Sequence, residues 1–503
     1  MRFGRVYLVG AGPGHPELVT VRGRRLLELA DAVLYDHLAP RELLDYCRPE
    51  AERVYVGKKR SRHTFTQEEI SGMLVERALA GKTVVRLKGG DPLIFARGGE
   101  ELEALAGAGV PFEVVPGVTT PVAIAAYCGV PLTHREHASI VTFVTGHDVE
   151  AIDWEKACAA ETLVLFMALT KFGDIARRLI AAGKPPSTPA LAVRWASRPD
   201  QQTVTGTLAD LGERIQRAGL RPPATAVVGE VVALRDRLNW FERLPLFGRR
   251  VVVTRARVQA GALGARLREL GAEVIELPAI EIRDLDDYSA LDAAIERLED
   301  YDWLIFTSVN GVEHFLRRLD HSRRDLRSIR GRLAAIGPAT AAHLRQLHLK
   351  VDVVPNDFVA ESLLAAFAPY EMAGRRVLIP RAQAAREILP EQLRARGAKV
   401  DVAPAYRTMV PEEAAGRVAE AFSRRPDWIT FTSSSTVTNF VRAAGKQVLE
   451  GVRIASIGPV TSGTVRSYGL TVDAEAQPYT IDGLVAALVR RHRGPTGAEA
   501  GAM

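Results

Sequence analysis

The sequence is poor in cysteine, poor in aromatic residues and free of long apolar runs. Its three cysteines, Cys47, Cys128 and Cys158, are scattered and lack the spacing of metal ligands. This usage indicates a reducing compartment, packing roles and no metal site. No stretch of about 18 uncharged apolar residues occurs, so we expect no membrane span. The first residues enter a strand pattern without the features of a secretion signal, which favours a cytoplasmic location.

The charge of the chain is modest as well. A net charge of +6 comes with only 6 % aromatic residues, and the arginines are spread along the chain. A nucleic-acid binder concentrates basic residues on one face with aromatic partners, so we expect no nucleic-acid partner. An arginine-rich surface suits a small polyanionic substrate. Ordinary solvated charge explains it equally well.

The first half of the chain alternates strand and helix patterns. With 503 residues, of which 47 % are hydrophobic and 25 % charged, the composition is that of a globular protein of two to four domains. The runs VYLVG, AVLYD, TVVRL and FEVV are separated by helical patterns, which predicts a largely parallel sheet covered on both faces. Pro245 and Gly248 interrupt this pattern within 241–249, and a new strand begins at Val251. We place a domain boundary there.

The second half contains an internal repeat with an offset of roughly 125 residues. RVVVTRA matches RVLIPRA, LRELGAEVIELPA matches LRARGAKVDVAPA, DWLIFTSVNGVEHF matches DWITFTSSSTVTNF, and AAIGPATA matches ASIGPVTS. The repeat predicts two similar α/β lobes that face each other across a cleft. The paired loops TSVNG and TSSST, and IGPAT and IGPVT, follow predicted strands, where ligands bind in open parallel sheets.

The loop in VYLVGAGPGHPEL, residues 6–18, departs from a dinucleotide-binding fingerprint. Its spacing is G-x-G-P-G, and neither Pro13 nor Pro16 can donate a backbone N–H to a phosphate. Asp36, which ends the second strand, lies where a dinucleotide-binding protein keeps its ribose-binding acid. From this loop alone, nicotinamide binding and a purely structural turn both stay open. The further glycine turns KGGDP (88–92) and PGVTT (116–120) favour a nucleoside site without a phosphate cradle, the shape of an S-adenosylmethionine site.

These motifs carry a resemblance to a known family. VYLVGAGPGHPEL, ADAVLYDHL, VYVGKK, VVRLKGGDPLIFARGGEELE, VVPGVTT, GVPLTHRE and VGEVVALRDRLNWF resemble uroporphyrinogen-III C-methyltransferase of the tetrapyrrole methylase family, in family order over about residues 4–241. The repeated half, about 247–490, is similar to uroporphyrinogen-III synthase, with a looser pattern. The fold implied is α/β: a two-lobed methylase fold followed by the pair of flavodoxin-like lobes.

The first resemblance implies donor-binding residues and an acid–base pair. The acid–base pair is Asp36 with Lys58, and Ala196 stands where the family has a glycine. S-adenosyl-L-methionine is the implied methyl donor, and uroporphyrinogen III is methylated twice to give precorrin-2. The residues implied to bind the donor are Pro13, Gly89, Gly90, Asp91, Ile94, Thr119, Thr120, Met167 and Ala196.

The second resemblance implies cyclisation of hydroxymethylbilane with inversion of the last ring. Tyr406 matches the family tyrosine proposed to assist departure of the hydroxyl, and a packing role is equally open. Arg255 and Arg381 hold equivalent repeat positions, where they meet carboxylates or cap helices. The residues implied to bind this substrate are Thr307, Ser308, Asn310, Gly311, Gly337, Thr432, Ser433, Ser434 and Gly458.

The domain boundaries follow from these assignments. We expect a methyltransferase over 1–243, a synthase over 249–490 and a disordered tail over 491–503. Within the synthase we expect one lobe from approximately 249–279 plus 408–490, and the other from 280–407. The resemblance implies tetrapyrrole substrates, a homodimer through the methyltransferase half, and a route towards siroheme or cobalamin. The alternative is an NAD-dependent dehydrogenase fused to a two-lobed ligand-binding module.

Overall fold

The structure, a computed structural model, describes residues 4–57, 65–254, 257–277, 281–355, 360–385, 387–409 and 414–493. The chain forms two compact units. The first holds the described residues up to Arg250, together with Ala265–Val274 and the last described residues from His492. The second holds Val251–Gly264 and Ile275–Arg491. Among the helices in these ranges, none is both long and apolar enough to cross a membrane.

The first unit begins with a parallel five-stranded sheet in the order β3-β2-β4-β1-β5. Val6 and Leu8 of the interior strand β1 pack into one hydrophobic cluster and Val9 into another, so both sheet faces are buried, as the unbroken apolar runs predict. The strands are β1 Arg5–Gly10, β2 Ala32–Tyr35, β3 Glu52–Tyr55, β4 Thr83–Lys88 and β5 Phe112–Val115. The helices are α1 Val21–Leu29, α2 Gln67–Leu79, α3 Gly98–Gly107 and α4 Thr120–Cys128.

A second five-stranded sheet of this unit has the order β6-β7-β10-β8-β9. Only β6 and β7 pair in parallel; the other neighbours are antiparallel. The expectation of a largely parallel sheet is wrong for this part, because Gln202–Thr207 follows β8 through a short loop and pairs back on it. The strands are β6 Val141–Thr145, β7 Thr162–Phe166, β8 Pro189–Arg194, β9 Gln202–Thr207 and β10 Ala224–Val228. The helices are α5 Trp154–Cys158, α6 Phe172–Ala181, α7 Leu211–Arg217 and α8 Arg235–Leu238.

The second half of the chain supplies ten further strands and ten α-helices among the described residues. The strands are β11 Arg250–Val253, β12 Glu273–Glu276, β13 Glu281–Arg283, β14 Trp303–Phe306, β15 Arg332–Ala335, β16 Arg376–Ala382, β17 Lys399–Met409, β18 Trp428–Phe431, β19 Arg453–Ser456 and β20 Ala474–Glu475. The helices are α9 Arg257–Glu269, α10 Ser289–Glu296, α11 Val309–Asp320, α12 Pro338–Gln346, α13 Ala360–Ala366, α14 Ile388–Ala395, α15 Ala414–Phe422, α16 Ser434–Ala444, α17 Pro459–Ser467 and α18 Ile481–Arg493.

Short 3-10 helices occur in both halves of the chain. They span Pro16–Leu18, Arg41–Tyr46, Leu169–Lys171, Glu230–Leu234, Phe241–Arg243, Leu298–Asp300, Leu326–Ser328 and Lys446–Leu449.

The sequence repeat appears as two sheets of matching order. One sheet runs β12-β11-β18-β19-β20 and the other β13-β17-β16-β14-β15. The repeat pairs β11 with β16, β12 with β17, β14 with β18 and β15 with β19. Each sheet therefore combines the first half of one repeat with the second half of the other. β13 adds an antiparallel edge strand, which pairs with the C-terminal end of β17.

The free cysteines lie mostly inside the apolar clusters. Cys47 and Cys128 are buried and Cys158 is half-buried. Burial raises the pKa of Cys128 to about 12, so its thiol stays neutral and packs as a small apolar group. Packing roles for Cys47 and Cys128 agree with this placement.

Candidate functional site

Three glycines bring the C-terminal ends of β1, β4 and β5 into direct backbone contact. A Cβ atom on Gly117 would lie 2.2 Å from the carbonyl oxygen of Gly90. One on Gly10 would lie 2.5 Å from the Cα of Gly117 and 2.7 Å from the same carbonyl. Any larger residue would force the backbones apart. Glycine here is a steric requirement of the loop junction.

The loop after β1 spends its backbone donors within the protein. The N–H of Gly12 donates to the carbonyl of Gly90 at 3.2 Å, and the N–H of Gly90 donates back to Gly12 at 2.7 Å. The N–H of His15 donates to the hydroxyl of Ser197 at 3.1 Å. With Pro13 and Pro16 also unable to donate, this loop offers few of the free N–H groups that bind a pyrophosphate. Its geometry favours a ligand without a phosphate.

Asp91 is held in the same junction by two backbone donors. One carboxylate oxygen accepts the N–H of Gly117 at 3.0 Å, and the other accepts the N–H of Leu93 at 2.9 Å. The carboxylate thus ties the turn after β4 to the turn after β5. Each oxygen keeps a lone pair for a ribose hydroxyl or an ammonium group.

The other residues implied to bind the donor lie around this junction or on the second sheet. Thr119 caps α4 and Thr120 begins it, and both lie about 4 Å from a Cβ built on Gly90. Ile94 is exposed in the turn after β4, where its neighbour Phe95 packs on Phe166 at 4.9 Å between ring centroids. This contact joins the turn after β4 to the end of β7. Pro13, Gly89, Gly90 and Asp91 complete the set on the first sheet.

Two of these residues lie in or beside strained backbone, in turns that follow strands of the second sheet. Met167 has φ +52° and is 53 % exposed. Ala196 is buried between Trp195 and Ser197, which have φ of +56° and +72°. A non-glycine residue in the left-handed region costs about 1 kcal/mol or more, and such residues cluster at ligand sites. The strained turn meets the first loop, because a Cβ on Gly14 would lie 2.5 Å from the Cγ of Arg198.

Asp36 is oriented by two contacts at the end of β2. One oxygen accepts the N–H of Leu38 at 2.9 Å, and the other accepts Nη2 of Arg86 at 3.3 Å. Its side chain is 20 % exposed. The same loop abuts the glycine turn, since a Cβ on Gly89 would lie 2.4 Å from the Cβ of Leu38. Lys58, its expected partner, lies outside the described residues.

A buried charge cluster stands behind Asp36, and the sequence reasoning missed it. Oε1 of Glu101 accepts from Arg86 at 3.1 Å, from Lys88 at 2.9 Å and from Gln67 at 3.2 Å. Burial lowers the pKa of Lys88, and Glu101 opposes this shift. A signal was present: Arg86 and Lys88 are charged positions in an otherwise apolar central strand, where charges are rare unless paired.

Tyr406 lies on β17 at an irregularity of the sheet. Its strand pairs with β16 in parallel, but the register shifts between Arg381 and Ala382, so that Ala382 lies opposite Tyr406. A bulge of this kind turns a side chain away from the regular alternation. The phenol of Tyr406 is 7 % exposed and lies 3.0 Å from the hydroxyl of Ser308. The ring of His314 lies beside it, tilted by 33°, at 5.2 Å between ring centroids.

Both aromatic groups at this position have shifted pKa values. Burial raises the pKa of Tyr406, while hydrogen bonds from Ser308 and Asn310 lower it. Burial and the nearby Arg317 lower the pKa of His314, against the opposing charge of Asp284. A protonated phenol beside a neutral imidazole follows from these directions at neutral pH. Such a phenol can donate a proton or a hydrogen bond to a leaving group.

The residues implied to bind the linear tetrapyrrole lie at helix N-termini. Ser308 caps α11, with its hydroxyl accepting the N–H of Gly311 at 3.0 Å. Ser433 caps α16 in the same conformation, with φ of −165° against −162° for Ser308. Gly337 and Gly458 precede α12 and α17, each with proline as the next residue. Helix N-termini attract carboxylates. The remaining members of the two sets, Thr307, Asn310, Gly311, Thr432 and Ser434, lie in the same segments.

The two arginines at equivalent repeat positions have different outcomes. Arg381 is buried and its guanidinium pairs with the carboxylate of Glu387. It therefore meets a carboxylate of the protein itself. Arg255 lies outside the described residues.

One group of side chains in the described ranges has the composition of a metal site. Ligand atoms of His134, Glu136 and His137 lie within 4.8 Å of one another. The two imidazole rings stack at 4.7 Å. The N–H of Glu136 donates to Nδ1 of His134 at 3.2 Å, which occupies one of the lone pairs that a metal would need.

The chain matches the sequence profiles of two families. The tetrapyrrole (corrin/porphyrin) methylases match residues 5–212, and uroporphyrinogen-III synthase HemD matches residues 261–486. The two matches cover separate parts of the chain, in the order that the motifs indicate.

One curated relative is similar to nearly the whole chain, and a second relative and a solved structure are similar to parts of it. The porphyrin biosynthesis protein HemD of Ruminiclostridium josui is 36 % identical over 492 residues, 96 % of this chain and 97 % of that protein. The uroporphyrinogen-III C-methyltransferase of Bacillus subtilis (strain 168) is 37 % identical over 363 residues, 71 % of this chain and 74 % of that protein. A structure of uroporphyrin-III C-methyl transferase from Thermus thermophilus, complexed with S-adenyl homocysteine, covers 46 % of this chain and 100 % of that chain at 44 % identity, with a TM-score of 0.41. The profiles and the near full-length relative show that this chain belongs to the family of tetrapyrrole-biosynthesis proteins that fuse a tetrapyrrole methylase to a uroporphyrinogen-III synthase.

Proposed function

We propose that this chain cyclises hydroxymethylbilane to uroporphyrinogen III and methylates that product twice with S-adenosyl-L-methionine to precorrin-2. The full-length match to a fused relative carries the proposal, because both families cover the chain in one order. Within this proposal, the methyltransferase occupies residues 1–243 and the two-lobed synthase occupies residues 249–490. Precorrin-2 then leads to siroheme or to a corrinoid.

Methyl transfer requires mainly that the methyl donor and the accepting carbon are correctly positioned. The C–S bond of the sulfonium donor breaks as a C–C bond forms to a pyrrole carbon, the electron pair stays on sulfur, and the ring system then loses one proton. The glycine junction and Asp91 hold the donor, and the exposed apolar residues Ile94 and Met167 cover it. Most of the rate comes from alignment of donor and acceptor. Asp36 receives the proton, because it is an oriented, partly exposed carboxylate at the same sheet edge.

Cyclisation asks for control of a flexible substrate. The hydroxyl of hydroxymethylbilane leaves with a proton as water, and the resulting cationic methylene carbon bonds to the substituted α-carbon of the last ring. The older bridge bond at that carbon then breaks, and the released methylene bonds to the free α-carbon of the same ring, which loses its proton; the last ring is thereby inverted. Tyr406 assists hydroxyl departure as a buried, protonated phenol. The capped N-termini of α11, α12, α16 and α17 bind the side-chain carboxylates. The two lobes thereby hold the two ends of the linear tetrapyrrole close together.

A binding titration separates the methyltransferase from a nicotinamide enzyme. S-adenosylhomocysteine, the demethylated donor, should bind the purified full chain, while NAD should not, because the first loop has spent its N–H groups on Gly90 and Ser197. Calorimetry measures both. Binding of NAD without S-adenosylhomocysteine would contradict the proposal.

Isomer analysis separates the synthase from a binding module. Hydroxymethylbilane closes by itself to the type I ring. The proposal predicts type III product from the full chain, measured by chromatography after oxidation to porphyrin. Type I product alone would contradict it.

The location and the oligomeric state of the protein belong to the same proposal. The protein acts in the cytoplasm, which its three free thiols support. It dimerises through the methyltransferase half, where Leu93, Val122 and Ile140 are exposed apolar side chains that a partner can cover. Analytical ultracentrifugation tests the dimer; a monomer at all concentrations would contradict it.

A further inference from the structure

The cluster behind Asp36 is built from charges that water and substrate do not reach. Glu101 is fully buried, and Arg86 and Lys88 are 4 % exposed. All three donors of the cluster converge on Oε1 of Glu101, while Oε2 has no hydrogen-bond partner among the described residues. Buried charges are costly and persist only when they are paired. A cluster of this kind in a central strand therefore needs a reason beyond packing.

The guanidinium of Arg86 uses each of its edges. Nε donates to Glu101 at 3.1 Å, Nη1 donates to the carbonyl of Leu87 at 3.0 Å, and Nη2 donates to Asp36 at 3.3 Å. Glu101 fixes the plane of the guanidinium from one side. Nη2 is then aimed at one oxygen of Asp36, and the N–H of Leu38 donates to the other oxygen. The carboxylate of Asp36 therefore has a fixed rotamer before any ligand arrives.

The same cluster reaches the turn that holds the donor. Lys88 is the last residue of β4 and directly precedes Gly89, Gly90 and Asp91. Its ammonium bonds the oxygen of Glu101 that also holds Arg86. One buried carboxylate thus connects the end of β4 to the end of β2.

We propose that Glu101, Arg86 and Lys88 form a positioning unit that sets the orientation of Asp36 relative to the donor-binding turn in the methylation step. The inference rests on the proposed role of Asp36. None of the three residues touches substrate in this account; they act through Asp36. Breaking the unit should lower kcat for methylation and leave the affinity for S-adenosylhomocysteine nearly unchanged, because the glycine junction and Asp91 stay intact.

A double-mutant cycle in the full chain tests the inference. Arg86→Lys should lower kcat for methylation by about 10- to 100-fold, the range for loss of a charge-assisted hydrogen bond. Asp36→Asn should lower it at least as much. In the Asp36→Asn background, Arg86→Lys should add a change of less than about twofold, because residues that act through one another are not additive. The matched control is Arg77→Lys, whose guanidinium pairs with Glu52 in the same unit at 2.6 Å; it should leave kcat unchanged.

The outcomes separate this inference from the proposed function. Full methylation by Asp36→Asn would contradict the role of Asp36 itself. The positioning unit alone would be overturned if Asp36→Asn lowers kcat for methylation and Arg86→Lys does not. It would also be overturned if the effects of the two substitutions on kcat multiply fully in the double mutant. If Arg86→Lys loses affinity for S-adenosylhomocysteine, Glu101→Gln provides the second test under the same criteria, since it keeps the shape of the side chain. Loss of that affinity in both variants would assign the cluster a structural role and overturn the inference.

Discussion

The candidate sites of the two units are built in opposite ways. In the first unit, three glycine turns touch backbone to backbone and a carboxylate locks two of them together. In the second unit, serine-capped and glycine-capped helices present their N-termini at the ends of two sheets. The first arrangement is a close-packed junction of backbone turns, whereas the second is a set of separate helix N-termini.

The difference matches the two ligands that we propose. A sulfonium nucleoside is compact, and in-line methyl transfer tolerates little misplacement, so a pocket without freedom suits it. A linear tetrapyrrole is long, flexible and rich in carboxylates, so spaced anion sites on two sheets suit it. The comparison predicts that small steric changes harm the first site most and that loss of single polar groups harms the second site by smaller steps.

The largest expected effect comes from filling the glycine junction. Gly117→Ala places a Cβ 2.2 Å from the carbonyl oxygen of Gly90, which forces the backbone to move. We expect affinity for S-adenosylhomocysteine to fall by about 100-fold, as a clash of about 3 kcal/mol produces. Calorimetry on the full chain measures it.

The matched control is Gly99→Ala in α3 of the same unit. Nothing lies within 4 Å of a Cβ at this position, and alanine favours the helix by about 0.5–1 kcal/mol. Affinity should be unchanged and stability slightly higher. Equal affinity of both variants for S-adenosylhomocysteine would show that the close packing of the glycine junction does not matter for donor binding.

A smaller effect is expected from the phenol of the second site. Tyr406→Phe keeps the ring beside His314 but removes the hydroxyl that meets Ser308. The synthase rate should fall by about 100-fold, the contribution of one general acid, with methylation of supplied uroporphyrinogen III unchanged. The control is Tyr301→Phe, a buried tyrosine of the same core whose hydroxyl donates to Asp401 at 2.6 Å. A similar loss in both variants would show that packing, and no catalytic hydroxyl, matters.

Ser308 and Ser433, the two serines that cap helices of the second unit, differ in their further contacts. Ser308→Ala and Ser433→Ala should each cost about 1 kcal/mol of stability, since each hydroxyl accepts a helix N–H. Only Ser308 also meets Tyr406. We therefore expect Ser308→Ala to lower the synthase rate more than Ser433→Ala, at matched losses in urea midpoint. Equal rates in the two variants would remove Ser308 from the catalytic arrangement.

The smallest effect concerns the pH dependence of the second unit. Burial lowers the pKa of His314, with Arg317 adding to the shift. Because the folded state binds this proton less readily than the unfolded state, its stability is full above the ordinary pKa of about 6.5 and falls as the pH decreases below it. The protection factors of the amides in α11 and β17, which correct for the slower intrinsic exchange at lower pH, should therefore fall on acidification, and less so in His314→Gln. The same fall in both proteins would exclude His314 as the cause.

The sequence was sufficient for the parts that periodicity and motifs govern. Apolar runs that end in glycine turns predicted β1, β4 and β5 and their shared edge. The repeat predicted that Ser308 and Ser433 occupy equivalent positions. Pairing direction in the second sheet was wrong, because strand patterns do not distinguish a parallel neighbour from an antiparallel one. The cluster of Arg86, Lys88 and Glu101 was missed, since a contact between β4 and α3 depends on packing that spacing alone does not reveal. The roles of Asp36 and Tyr406 remain proposals.

The central claim is that one chain performs both reactions through two differently built sites. The most direct measurement gives the purified full chain hydroxymethylbilane and S-adenosylmethionine together and follows product by absorbance and mass. The account predicts a ring of the type III isomer carrying two new methyl groups, and unmethylated type III ring when the methyl donor is left out. An unmethylated type I ring in both reactions would contradict it.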